Sequence, residues 1–194
     1  MSDELITERH GRAVVVRFTR PEIRNPLSVS VLTVLHEIVD GLASDEGIDA
    51  LIFTGSGDVF ASGADLREIA EVTADTAAEF ALRGQTLMAK IAALPQLTIA
   101  AINGYCFGGA LDLALACDRR IASENAMFAH PGTGLGIITG WGGTQRLPRL
   151  IGRGRALELF FTAERIRAEK ALAFGLIDEI VAHPLEHAIA SVSE

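Results

Sequence analysis

The chain has 194 residues, long enough for one domain with a sizeable core. Hydrophobic residues make up 49% and charged residues 22%, a globular balance without the signature of disorder. A formal net charge of −8 argues against general binding to nucleic acid or anionic membranes, while leaving room for a local basic patch holding one phosphorylated small molecule.

The chain opens on "MSDELITERHGR", charged where a secretory signal needs an apolar run, and no later stretch reaches membrane-spanning length. A cytoplasmic setting is expected. "ELIT" and "AVVVRF" (Ala13 to Phe18) flank a turn at His10-Gly11 and read as a hairpin. From Ser28, a plausible N-cap, apolar residues at Val31, Leu32, Leu35, Ile38, Val39 and Leu42 follow the helical interval. "ALIFTG" (Ala50 to Gly55) is a fully buried strand, and the glycine-rich loop "GSGDVFASGADLREI" leads from it into a helix. A long helix spans Thr76 to Leu94 and stops before Pro95. "LTIAAING" is the next buried strand, followed by glycines and a helix apolar on every face. Cys106 and Cys117, embedded in that apolar sequence, are too few for a disulfide framework or a metal site and fit a reducing compartment. Short strands at "RIAS" and "AMFAH", helices around "RALELFFT" and "AEKALAFG", and a strand "LIDEIV" complete the pattern. Buried strands alternating with amphipathic helices indicate an α/β domain with a mostly parallel sheet, whose sites form where strands end and helices begin.

Two glycine loops have the same design. "FASGADL" (Phe60 to Leu66) and "NGYCFGGA" (Asn103 to Ala110) each run from strand through glycine to a helix start. A helix start leaves main-chain N–H groups unpaired, and two such loops together could cradle one developing negative oxygen. "GTGLG" (Gly132 to Gly136) is a turn, since neither its spacing nor its context fits a dinucleotide fingerprint.

The pieces "RPEIRNPLS", "FASGADLREI", "AAINGYCFGGALDLALACD", "GIITGWGGTQRLPRLIG" and "AEKALAFGLIDEIV" resemble the crotonase (enoyl-CoA hydratase/isomerase) family, in its order and at its spacing across nearly the whole chain. The resemblance implies a crotonase-like (ClpP/crotonase) fold, with repeated β-β-α units forming two roughly perpendicular sheets surrounded by helices. It implies a homotrimer or dimer of trimers and an acyl-CoA thioester substrate, with no cofactor beyond the coenzyme A of that substrate. Carried over by position, the two N–H donors to the thioester oxygen are Ala64 and Gly109. Ser62, Asp65 and Leu66 of the same loop fall at the substrate, and Arg24 and Arg67 are placed to meet the CoA phosphates or, on the plainer view, form a solvated surface face.

Many hydratases of the family use two glutamates as acid and base. The first position matches Asp112, one methylene shorter; the second is Gly132, so that carboxylate is absent. Asp112 is either a charge complementing its own helix N-terminus or, buried beside the hole, a proton carrier with a raised pKa. His130 could supply a second titratable group near Gly132, or simply be satisfied by its neighbours. Trp141 packs against the acyl chain or the core. The family usually continues into a C-terminal helical segment, which over residues 1–194 would be short or missing from a single crotonase-like domain. The activity implied is that of a lyase or isomerase working through a thioester enolate. A decarboxylase of malonyl-type CoA, which needs little acid/base help, and a non-catalytic acyl-CoA-binding paralogue are the competing readings.

Overall fold

A computed structural model describes residues 4–192. The first hairpin pairs β1 (Leu5–His10) with β2 (Ala13–Phe18), His10 facing Ala13 across the turn. β3 (Pro26–Leu27) precedes α1 (Val29–Leu42), whose N-cap Ser28 accepts from the Val31 N–H at 3.2 Å. α1 buries Val31, Leu32, Leu35, Val39 and Leu42, the apolar positions of its helical interval. β4 (Ala50–Thr54), β5 (Val59–Ala61) and β6 (Gly63–Ala64) lead into α2 (Leu66–Ala70) and α3 (Ala77–Ala92). β7 (Leu97–Ile102) and β8 (Tyr105–Phe107) lead into α4 (Gly109–Ala116), and β9 (Arg119–Ala122) and β10 (Met127–Ala129) into α5 (Gly143–Ile151). α6 (Arg153–Thr162), β11 (Ile166–Arg167), α7 (Ala168–Phe174), β12 (Glu179–Ile180) and α8 (Pro184–Ala190) follow.

Successive strands go alternately to two sheets. β4, β7 and β9 join a six-stranded sheet in the order β1-β2-β4-β7-β9-β12, while β5, β8 and β10 join a second in the order β11-β10-β8-β5. Each unit therefore puts one strand into each sheet before its helix, which is the repeated β-β-α architecture. All neighbours in the large sheet are parallel except β1 with β2.

The central strands of the large sheet, β4 and β7, are buried on both faces, which is why β4 reads as an unbroken apolar run. Leu51, Phe53, Ala100 and Ile102 point into the main core with α1, α3 and α4. Ala50, Ile52, Ile99, Ala101 and Ile121 point the other way, against Ala188 of α8.

Three features depart from the sequence expectation. Both glycine loops contain strands where direct strand-to-helix loops are expected: β5 and β8 belong to the second sheet, and β6 pairs with β3 in a separate two-stranded sheet. Strands of two or three residues are too short to show alternation. The "LIDEIV" strand shrinks to Glu179–Ile180. α5, in a segment without an assigned element, forms despite Pro148 inside it, because Gly143, Leu147 and Ile151 stack on one face and are buried there.

Candidate active site

The glycines between the sheets bring the two loops together. Gly63 has φ +88°, a conformation few L-residues adopt, and a Cβ there would stand 2.6 Å from Gly109 N and 2.7 Å from Phe107 O. Only a residue without a side chain lets β6 approach the N-terminus of α4 this closely. The result is a cavity of about 320 Å³ bordered by both loops and by the turn after β10.

Ser62, Ala64, Leu66, Gly109, Asp112, His130, Gly132 and Trp141 all line this cavity, although they come from distant parts of the chain. Apart from Thr139 the rest of its wall is largely apolar, with Ile69, Val72, Phe80, Leu135, Ile137 and Ile138. Arg24, Asp65 and Arg67 are not among the lining residues. Asp65 is the N-cap of α2, accepting from the Arg67 main chain at 2.9 Å, and its carboxylate also pairs with the Arg67 guanidinium at 2.6 Å. That guanidinium hydrogen bonding holds the Asp65 carboxyl below its ordinary range. Arg24 lies over the Tyr105 ring at 5.9 Å, and its turn is docked by the neighbouring Asn25, a residue with no signal in the sequence. Asn25 is buried, donating to Val59 O and Phe60 O at 3.1 Å each and accepting from Arg20 N at 2.7 Å.

Asp112 stands in the first turn of α4, in a helix whose residues Ala110 to Ala116 are all buried. Its own N–H bonds to Gly108 O at 3.1 Å, but its side chain leaves the helix. Oδ2 accepts a hydrogen bond from the Thr139 hydroxyl, and Oδ1 lies 3.7 Å from His130 Nε2. The carboxylate is thus not a cap of its own helix. Burial pushes its pKa up to about 6, against the pull of the Thr139 hydroxyl, the Trp141 and Gly143 main chain and the Arg146 guanidinium. His130, also buried, is pushed down to about 4 by burial and is neutral near pH 7. The site therefore holds a carboxyl titrating close to physiological pH beside an uncharged imidazole.

Thr139 carried no signal in the sequence, since nothing marks a threonine in an irregular turn as a carboxylate partner. Arg146 was equally silent; it donates to Met88 O at 3.1 Å and docks α5 on α3. Trp141 is buried, its ring 6.0 Å from that of Phe80, so it belongs to the core and to the cavity wall at once. At Gly132 the space for a side chain is closed, since a Cβ would meet Ile137 O at 2.7 Å.

Comparison with known proteins agrees with the overall architecture. Residues 8–192 match the enoyl-CoA hydratase/isomerase family. A short-chain-enoyl-CoA hydratase of Clostridium acetobutylicum is 39% identical over 180 residues, covering 92% of this chain and 69% of that protein. A crotonyl-CoA hydratase of Syntrophomonas wolfei is 41% identical over 180 residues, with the same coverage of 92% and 69%. The crystal structure of an enoyl-CoA hydratase from Bacillus anthracis superposes with a TM-score of 0.92 at 38% identity, over 98% of this chain and 75% of that one. With its β-β-α architecture and a match over nearly its whole length, the chain belongs to the enoyl-CoA hydratase/isomerase family, as an acyl-CoA-processing enzyme.

Proposed function

We propose that the chain acts as a lyase or isomerase on an acyl-CoA thioester, with the Ala64 and Gly109 main-chain N–H groups holding the thioester oxygen and Asp112 carrying the proton at the adjacent carbon. The observation that carries this reading is the meeting of Ala64, Gly109 and Asp112 at one cavity, the acid buried and titrating at about 6. Removing a proton next to a thioester puts charge on its oxygen, and two fixed donors there lower the barrier by about 3–4 kcal/mol each, judging from single-donor deletions elsewhere. A base titrating near operating pH is the effective one for the transfer itself. The apolar lining of Ile69, Val72 and Ile137 suits a hydrocarbon acyl chain.

Coenzyme A enters as part of the substrate, and no other cofactor is invoked. Among the described residues no helix is long and apolar enough to cross a membrane, and we place the protein in the cytoplasm on the strength of its two free, buried cysteines. Self-association, most simply a trimer, is supported by the apolar side chains that α6 leaves exposed, Leu157 and Phe161.

Exchange of the α-protons of butyryl-CoA in heavy water, followed by NMR, tests the proton-carrying step without knowledge of the natural substrate. Wild type should exchange, and Asp112→Asn should lose about 10²–10⁴-fold in rate. Undiminished exchange in that variant would make Asp112 structural. Crotonyl-CoA, a 3-enoyl-CoA and methylmalonyl-CoA, assayed side by side, separate hydratase, isomerase and decarboxylase from an inert binder.

A further inference from the structure

His130 and Asp112 face each other at the cavity, and each keeps a buried polar atom that the rest of the chain leaves unpaired. His130 Nε2 lies 3.7 Å from Asp112 Oδ1. That oxygen and both imidazole nitrogens are buried without a hydrogen-bond partner among the described residues. Nearly all buried polar atoms in folded proteins are paired, so three orphans at one spot call for a cause. The second carboxylate oxygen is already committed, accepting from Thr139.

The surroundings are shaped to bring the ring and the carboxylate together. A Cβ on Gly143 would stand 2.1 Å from Asp112 Oδ1 and 3.1 Å from His130 Cε1, so a glycine at 143 is what admits both. The Phe160 ring packs on the imidazole with centroids 5.1 Å apart. Arg146 from α5 favours the ionised carboxylate, and the Cys106 thiol on β8, raised by burial first and by Cys117 and Asp112 after, is the other titratable neighbour.

We propose that His130 is the positioning residue of Asp112, its Nε2–H donating to Oδ1 in a hydrogen bond that tightens when acyl-CoA is bound. Catalytic hydrogen bonds are often long before the substrate arrives. The inference rests on Asp112 being the proton carrier. A neutral imidazole can donate only through the nitrogen that bears its proton, so the arrangement requires the Nε2–H tautomer. With Thr139 on one oxygen and His130 on the other, the carboxylate plane is fixed from both sides. Each oxygen keeps a second lone pair for the substrate proton. His130 thus steadies the remaining acid of a site whose second family position is a glycine.

Heavy-water exchange of butyryl-CoA in His130→Leu and His130→Gln tests this. In His130→Leu the rate should fall at least about tenfold with KM within about twofold. The pH midpoint of exchange should rise, because the ionised carboxylate has lost a donor. His130→Gln, whose amide N–H reaches the same place, should recover most of the loss and move the midpoint back. Unchanged rate and midpoint in His130→Leu, or a glutamine variant no better than the leucine one, would overturn the proposal. Ring-¹⁵N NMR of the wild type gives a check free of folding effects: the Nε2–H tautomer at about pH 8 is expected, and the Nδ1–H tautomer overturns the proposal. Exchange lost in Asp112→Asn but intact in His130→Leu overturns this inference alone, whereas exchange persisting in Asp112→Asn overturns the reading of Asp112 as well.

Discussion

The indole of Trp141 fills the space that a side chain on Gly109 would need, with a Cβ there falling 2.4 Å from Trp141 Cζ3. α3 is notched for the same ring, since a Cβ on Gly84 would stand 2.3 Å from Trp141 Cδ1. The indole is therefore clamped between α3 and α4, and it braces the main chain that carries the proposed Gly109 donor. Gly109→Ala should displace it, destabilising the fold by about 1–3 kcal/mol and removing turnover. In a Trp141→Leu background the ring is gone and the stability cost of the alanine should shrink. A double-mutant cycle by chemical denaturation measures the difference. Equal costs in both backgrounds would show that the clamp does not exist.

What could be read from the chain beforehand, and what could not, follows from the range over which each signal acts. Val31, Leu32, Leu35 and Val39 mark α1 because a helix repeats its buried face every turn. Asp112 stood out because a carboxylate in an all-apolar helix needs a reason. β5 and β8 were masked because each is three residues set between glycines, Gly57 and Gly63 for one and Gly104 and Gly108 for the other, and α5 because Gly142, Gly143 and Pro148 look like loop punctuation. Thr139 and Gly143 act on Asp112 only after the turn beyond β10 has folded over α4. One supplies a hydroxyl and the other an absent side chain, and neither leaves a local pattern.

By the resemblance, Gly132 falls where many hydratases of the family carry a second acid, but placing an acid there should fail. The turn after β10 closes on itself through Ile137 N and Gly132 O at 2.9 Å, and Ile137 O would sit 2.7 Å from any Cβ at 132. Gly132→Glu should therefore lower stability by about 1–3 kcal/mol, and Gly132→Ala by a similar amount, through the same collision. Hydration of crotonyl-CoA should not improve. A tenfold gain in Gly132→Glu would refute the steric argument.

Leu157 and Phe161 lie one turn apart on α6 with relative exposures of 39% and 75%. Two large apolar side chains on one helix face favour association. At micromolar concentration the protein should scatter light as a homo-oligomer, and Phe161→Lys should reduce the mass while leaving the helical circular dichroism intact. A wild-type protein that runs as a clean monomer contradicts this.

Asp112 and His130 should tilt stability with pH in opposite directions. Burial raises Asp112 from 3.8 to about 6, so between those values the folded chain keeps a proton that the unfolded chain has released. Stability from this group is full below about pH 4 and is lost as pH rises through about 6, a change on the order of 3 kcal/mol. Burial lowers His130 from 6.5 to about 4, so there the unfolded chain holds the extra proton, and stability is lost as pH falls from 6.5 toward 4. In the wild type the two slopes oppose each other over the shared window. Each single variant leaves the other group's slope exposed. Relative to wild type, Asp112→Asn should lose stability on acidification from about pH 6.5 to 4.5, and at about pH 8 it should be at least as stable, the buried charge being gone. His130→Gln should gain stability over the same acidification. Denaturant midpoints measured for the three proteins across that range decide the matter. Parallel curves would mean that neither group titrates in the folded core, and the argument that Asp112 works as a base near neutral pH would lose its support.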